Sequence, residues 1–231
     1  MHLFYQPKIS LGYLPEDESR HAVKVLRLSP GDEIEITDGI GSLYKAHVKQ
    51  SDPRQCTFSI TQVATSPPRK YSIHLAIAPT KNADRMEWMV EKCVEIGIEA
   101  ISFVLCKTSE RKSINLERLE KIAISAMKQS LQTSLPSLNE MIPFERFIRG
   151  RNEKQRFIAH VDENNKDHLV KVATAHSQYL VLIGPEGDFT AEELKLADKE
   201  GFIKVSLGSN RLRTETAGLA AVMALNTVNQ G

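Results

Sequence analysis

The sequence predicts an α/β domain with a largely parallel sheet, preceded by a small all-β unit, and three observations predict it. Glu33-Ile34-Glu35-Ile36-Thr37 alternates polar and apolar side chains between the turn formers Pro30-Gly31-Asp32 and Asp38-Gly39-Ile40-Gly41, as a half-buried strand does. Ser66-Pro67-Pro68-Arg69-Lys70 breaks any ladder, because proline lacks the N–H that pairing needs and restricts the residue before it. Beyond that segment, short apolar runs alternate with stretches of helical period, the rhythm of βαβ units.

The elements follow in order. Residues 43–48 and 57–63 are strand-like and complete the first domain, expected to span 1–67. The second domain is expected at 72–231, with strands at 73–78, 101–105, 157–161, 179–183 and 203–207. Met86, Met89, Val90, Cys93 and Val94 recur at helical spacing, and Gly97 is placed to end that helix. Leu116, Leu119, Ile122, Ala123, Ala126, Met127 and Ser130 mark a second helix that stops before Pro136, while Thr190-Ala191-Glu192-Glu193 is a capping box opening a third. A last helix is expected at about 216–228, where Ala217, Gly218, Ala220, Ala221 and Ala224 are small enough to let a neighbour or a second copy approach. Residues 146–156, with five basic side chains, read as a charged linker. Trp88 suits either a core or a dimer contact.

Composition narrows the function classes. With 41% hydrophobic and 26% charged residues in a chain of 231, a sizeable core is expected and wholesale disorder is excluded. The apolar runs fall far short of the ~18–20 residues that cross a bilayer, and the first residues lack a basic stretch followed by an apolar one, so a cytoplasmic protein without a membrane partner is expected. Cys56, Cys93 and Cys106 have no Cys-x-x-Cys spacing, so they are expected to be reduced and mostly buried. His74, His160 and His176 stand without ligand partners at metal spacing, so no metal is expected. His21 reads as a packing or turn histidine. The net charge of +1 means that any polyanion site is a local patch.

Chemistry concentrates in two loops that follow successive strands: Leu182-Ile183-Gly184-Pro185-Glu186-Gly187-Asp188-Phe189-Thr190 and Leu207-Gly208-Ser209-Asn210-Arg211-Leu212-Arg213-Thr214-Glu215-Thr216. In an open α/β sheet, loops leaving the carboxyl ends of strands line the ligand crevice, and glycines there expose backbone groups to the ligand. Neither Gly-x-Gly-x-x-Gly nor Gly-x-x-x-x-Gly-Lys-Ser/Thr is present, and Glu186 would repel a pyrophosphate. A neutral or cationic ligand fits better. S-adenosylmethionine, with its sulfonium charge and an adenine that pairs with backbone groups, meets that condition.

These two loops, above all Leu212-Arg213-Thr214-Glu215-Thr216-Ala217, closely resemble the RsmE family of ribosomal RNA small-subunit methyltransferases, of the SPOUT class. Phe4-Tyr5, His21, Val25-Leu26-Arg27, Gly31-Asp32 and Asp38-Gly39 resemble that family's N-terminal PUA-like RNA-binding domain, and Glu91-Lys92-Cys93-Val94-Glu95-Ile96-Gly97 and Gln129-Ser130 resemble its middle motifs. The resemblance implies a PUA-like β-barrel ahead of a trefoil-knotted α/β domain, a homodimer, S-adenosylmethionine as methyl donor, and methylation at N3 of one uridine of 16S ribosomal RNA in the small ribosomal subunit. It places the cofactor on Leu182, Ile183, Gly184, Pro185, Glu186, Gly187, Leu207, Gly208, Leu212, Arg213, Thr214 and Thr216. Two positions depart from the family pattern: Asp188, where many members have a second glycine, and Gln132, where many have an arginine for which Lys128 could substitute.

Loss of the uracil N3 proton spreads negative charge over the flanking carbonyls, and a cation aimed there stabilises it. Arg213 is the candidate, with Glu215 beside it. Glu186 and Glu215 are both available as a general base, and the sequence does not choose. Lys24, Arg27, Lys107, Arg111, Lys112 and Gln129 are the candidates for RNA contact. The rival reading is an RNA-binding assembly factor with a degenerate cofactor pocket; a third keeps the chemistry and changes the RNA position.

Overall fold

The computed structural model describes residues 2–160 and 167–230, which divide into two compact units. The first comprises residues 1–68 together with 124–135, and the second comprises 69–123 and 136–231. The expected division did not anticipate that residues 124–135 belong with the first unit. Backbone pairing explains it: Gly41 N–H donates to Thr133 O, and Leu135 N–H to Gly39 O.

In the first unit, strands β1 (Leu3–Tyr5), β2 (Glu33–Thr37), β3 (Ser42–Gln50) and β4 (Thr57–Thr65) form one sheet in that order, with β1 parallel to β2 and the rest antiparallel. Residues 12–14 pair with the other edge, Phe58 N–H donating to Gly12 O and Leu14 N–H to Cys56 O, so the sheet curls back on itself. Phe4, Leu14, Ile34, Ile36, Val48 and Phe58 fill its core. The unit is not all-β, because helix α1 (Glu16–Arg20) runs into a π-helical turn at His21–Val25. Three acidic side chains in its first turn favour the positive end of that helix, a signal the alternation of the strands overshadows.

The second unit is an α/β layer structure. Its elements are β5 (Ser72–Ile77), α2 (Ala83–Ile96), β6 (Ala100–Leu105), α3 (Leu116–Gln129), β7 (Ser137–Pro143), α4 (Phe144–Ile148), β8 (Gln155–Ala159), α5 (Leu169–Val172), β9 (Gln178–Ile183), α6 (Ala191–Lys199), β10 (Ile203–Val205) and α7 (Thr214–Val228). Helix α3 contributes its residues from Ile124 onward to the first unit. The sheet order is β10-β8-β9-β5-β6-β7, with every pairing parallel. Residues 179–183 of β9 are buried throughout, as an apolar run covered on both faces should be.

Differences from expectation have local causes. The linker expected at 146–156 begins inside α4 and ends inside β8, its charges being carried on short elements. The strand expected at 157–161 is observed at 155–159, and Val161 lies outside the described residues. Ala221, expected to face a neighbour or a second copy, is fully buried within its own chain. A Cβ on Gly218 would stand 3.0 Å from Ile77 Cδ1 and 3.4 Å from Leu75 Cδ2, so the small residues of α7 serve its close approach to β5. The exposed apolar residue of that helix is Met223.

All three cysteines are free and buried. Burial raises each thiol, that of Cys93 to about 12, which leaves them unreactive at neutral pH. No helix among the described residues is long and apolar enough to cross a membrane.

Candidate functional site

A cavity of about 670 Å³ opens at the carboxyl ends of the adjacent strands β8, β9 and β10. Ile183, Gly184 and Pro185 enter it from the β9 loop, and Leu207, Gly208, Leu212 and Thr214 from the β10 loop. All belong to the expected cofactor set. The end of β8 adds Ala159 and His160, and His168 before α5 joins them, none of which was expected at the cofactor; Ser209, Asn210 and Arg211 of the second expected loop and Ala217 also line the cavity, although they were outside the expected cofactor set.

The remaining residues expected at the cofactor lie outside this lining. Leu182 packs into the apolar cluster of the sheet's other face, with Phe144 and Phe189. Glu186 is exposed, and its Oε1 accepts the Lys81 backbone N–H at 3.0 Å. Gly187 abuts the loop after β6, where a Cβ would come within 3.2 Å of Thr108 Cβ. Arg213 is the exposed N-cap residue of α7, and Thr216 is exposed on its first turn.

Short-range chemistry shapes both loops. Asp188 N–H closes a turn onto Pro185 O at 2.9 Å, and Asp188 itself takes a left-handed conformation with φ +61°. Aspartate tolerates that region better than most residues because its side chain bonds locally; here Oδ1 accepts Phe189 N–H at 2.8 Å. Its carbonyl accepts the Thr108 hydroxyl at 2.7 Å. A Cβ on Gly184 would lie 3.0 Å from the Phe189 ring, tighter than an ordinary contact, so a side chain there would need the ring to give. The capping box then forms as expected: the Thr190 hydroxyl accepts Glu193 N–H, and Glu193 Oε2 accepts Thr190 N–H. Glu193 Oε1 also accepts Lys107 N–H at 2.9 Å, which ties the loop after β6 to α6. On the β10 side, Gly208 adopts φ +130°, open only to glycine, and its N–H donates to the Ser206 hydroxyl.

Asp188 also brings a carboxylate to the cavity wall. Its Oδ2 lies 2.9 Å from His160 Nδ1, although off the line of an N–H bond, so the two side chains touch without a hydrogen bond. The sequence hid this pair because its members lie on different loops. His74, too, has a carboxylate partner in space, Glu153, at 2.8 Å. Neither belongs to a metal cluster: among the described residues no three His, Cys, Asp or Glu side chains group as a cation would need.

The catalytic candidates fare differently. Glu215 is 6% exposed and its Oε1 lies 3.8 Å from Arg85 Nε, so its nearest cation is on α2 rather than Arg213. Arg211 lines the cavity and Arg213 does not. Among the RNA candidates, Lys24, Arg27, Lys107, Lys112 and Gln129 are exposed and Arg111 is half-buried. Lys24, Arg27 and Gln129 lie in the first unit; Lys107, Arg111 and Lys112 lie in the second. Lys128 is bonded to Glu18, and Gln132 donates to the Ser130 hydroxyl, so neither presents the free cation expected of an arginine at position 132.

The walls suit S-adenosylmethionine. Ile183, Val205, Leu207 and Leu212 give apolar surface for an adenine, the glycine loops give backbone groups, and Asp188 gives a carboxylate for a cationic ligand.

Comparison with known proteins identifies the family. The RNA methyltransferase domain family matches residues 67–226, and the RNA methyltransferase PUA domain matches residues 14–61. The chain is 31% identical over 229 residues to the ribosomal RNA small subunit methyltransferase E of Buchnera aphidicola, covering 94% of this chain and 88% of that protein. A crystal structure of a probable rRNA-methyltransferase from Porphyromonas gingivalis superposes with a TM-score of 0.94 at 43% identity, over 100% of this chain and 99% of that one. The ribosomal RNA small subunit methyltransferase E of Neisseria gonorrhoeae, bound to S-adenosyl methionine, superposes with a TM-score of 0.84 at 27% identity, over 99% and 98%. An α/β domain with a parallel sheet, a small PUA-like domain before it, and matches along nearly the whole length place the chain in the ribosomal RNA small subunit methyltransferase E family of RNA methyltransferases.

Proposed function

We propose that the chain transfers the methyl group of S-adenosylmethionine to N3 of one uridine of 16S ribosomal RNA within the small ribosomal subunit. The observation that carries this reading is the cavity at β8, β9 and β10, built from two glycine-bearing loops with a carboxylate in its wall. The cofactor-bound relative from Neisseria gonorrhoeae supports the donor. Leu207, Leu212 and Ile183 would hold the apolar part of the cofactor, the backbone at Gly184 and Gly208 would supply polar groups to it, and Asp188 would offer a carboxylate to its positive charge. The donor supplies an electrophilic methyl group on a sulfonium.

The chain's own residues do the rest. The loops would hold the acceptor base beside the donor, which removes much of the entropic barrier. Arg213, together with Arg211 in the cavity wall, stabilises the negative charge that spreads over the uracil carbonyls when N3 loses its proton. Glu186 Oε1 accepts the Lys81 N–H and Glu215 Oε1 stands 3.8 Å from Arg85 Nε, and release of the N3 proton to solvent is enough for the step. Lys107, Arg111 and Lys112 contact RNA phosphates from the second unit. Residues 1–67 act as the RNA-binding domain and 72–231 as the catalytic one. The SPOUT class resemblance further implies a trefoil knot in the catalytic domain and a homodimer, and action on ribosomal RNA fits a cytoplasmic location.

Single-turnover methylation of small subunits lacking the modification tests the cation assignment. Arg213→Ala and Arg211→Ala are expected to slow the step by about 10²-fold each, the scale of losing one donor to a developing oxyanion, with the fold retained. Unchanged rates in both variants would remove this loop's cations from the mechanism.

A further inference from the structure

The first unit carries a second cleft, of about 490 Å³, lined by His2, Phe4, His21, Lys128, Gln129 and Leu131 among others. It shares no residue with the cavity at β8, β9 and β10. Its volume falls within the ~300–1,000 Å³ of small-ligand sites.

Its rim is built against the protein's own interest. Helix α3 ends in a Schellman motif: Gln132 N–H donates to Met127 O and Leu131 N–H to Lys128 O. The left-handed residue of that motif is normally glycine. Here it is Leu131, with φ +56° and 67% of its surface exposed. Glycine would serve the turn without Cβ strain and without an apolar side chain in water. Arg27 is likewise left-handed, at φ +56°, and ends the π-helical turn where Leu28 N–H reaches back to Ala22 O. Turns of that kind recur at functional sites. His21, which opens the turn, is exposed, with its ring edge-on to Phe4 at 6.4 Å. The packing or turn role expected for His21 holds on both counts, since it opens the turn and its ring meets Phe4.

The chemistry of the lining is that of a nucleobase site. Lys128 is ion-paired with Glu18, which leaves the imidazoles of His2 and His21, the apolar Leu3, Phe4 and Leu131, the Ser125 hydroxyl and the Gln129 amide, a set that suits an uncharged planar ring with polar edges. Cations for the phosphates stand on the same turn: Lys24 and Arg27 are exposed and make no ion pair among the described residues. We propose that this cleft takes one unpaired nucleotide of the substrate RNA, other than the uridine that is methylated, with its base against His21 and Leu131, its edge on Gln129 and its phosphates on Lys24 and Arg27. Single-stranded RNA is held in this way, by π-faces beside a basic track. The inference rests on the RNA methyltransferase reading above and names a subsite of its substrate.

The test is filter binding of unmodified small ribosomal subunits, with S-adenosylmethionine affinity measured calorimetrically on the same preparations. Leu131→Gly installs the residue the turn prefers, so the fold is safe. Leu131→Gly and His21→Ala are each expected to weaken subunit binding about tenfold, with S-adenosylmethionine affinity unchanged and the Leu131→Gly thermal midpoint unchanged or raised. Charge removal at Lys24 and Arg27 is expected to flatten the salt dependence of binding. Wild-type subunit affinity in both cleft variants overturns the cleft and leaves the proposed function standing. A wild-type chain that neither binds nor methylates subunits overturns both.

Discussion

Asp188 shows how one side chain can be visible in a sequence while its role is not. As the position where the family usually has glycine it stands out, and the observed φ of +61° explains why glycine is common there. Its hydrogen bond to Phe189 and its approach to His160 join residues across loops, which no spacing rule connects. Asp188→Ala keeps the unfavourable backbone and loses the local bond, so it is expected to lower stability by roughly 1–2 kcal/mol, whereas Asp188→Gly is expected to stay close to the wild type; urea unfolding of the two distinguishes them. Glu153 gives a second prediction at this scale. Burial works against its charge, yet the hydrogen bond with His74 and the nearby Arg151 hold the carboxyl below its ordinary range. A depressed folded value contributes stability above the unfolded value of about 4.3 and loses it as pH falls through the folded one. The melting temperature should therefore drop on acidification below about pH 4.5, and less steeply in Glu153→Gln.

Among the elements, legibility followed length and burial. The helix expected from Met86 to Gly97 and the capping box at Thr190 were read from side-chain periodicity and cap chemistry, both local signals. Strand β7 escaped because Ser137–Pro143 lies between prolines and is mostly exposed or half-buried, so no alternation marks it. Helices α4 and α5, of five and four residues, are too short for a period to show. Helix α7 was legible as small-residue-rich but not in its direction, since a stripe of Gly and Ala serves a neighbouring strand as well as a second subunit. Gly218→Val puts a branched side chain against Ile77 and Leu75 and is expected to cost about 1–3 kcal/mol; chemical denaturation that finds it neutral would mean that α7 can move away from β5.

At the scale of the molecule, a net charge of +1 restricts any polyanion contact to local patches, and the parallel sheet sets the cavity where three adjacent strands end. The sheet and the two glycine loops could be anticipated from alternation of apolar runs and turn residues. The wall supplied by His160 and His168 could not, because it depends on β8 lying between β9 and β10. The central claim is that this cavity serves methyl transfer to a uridine of the small subunit. Its most direct test is methyl incorporation from labelled S-adenosylmethionine into small ribosomal subunits lacking their native modification, with the product nucleoside identified by mass spectrometry. N3-methyluridine at a single 16S position is the expected product; subunits that bind the protein tightly yet acquire no methyl group would contradict the account.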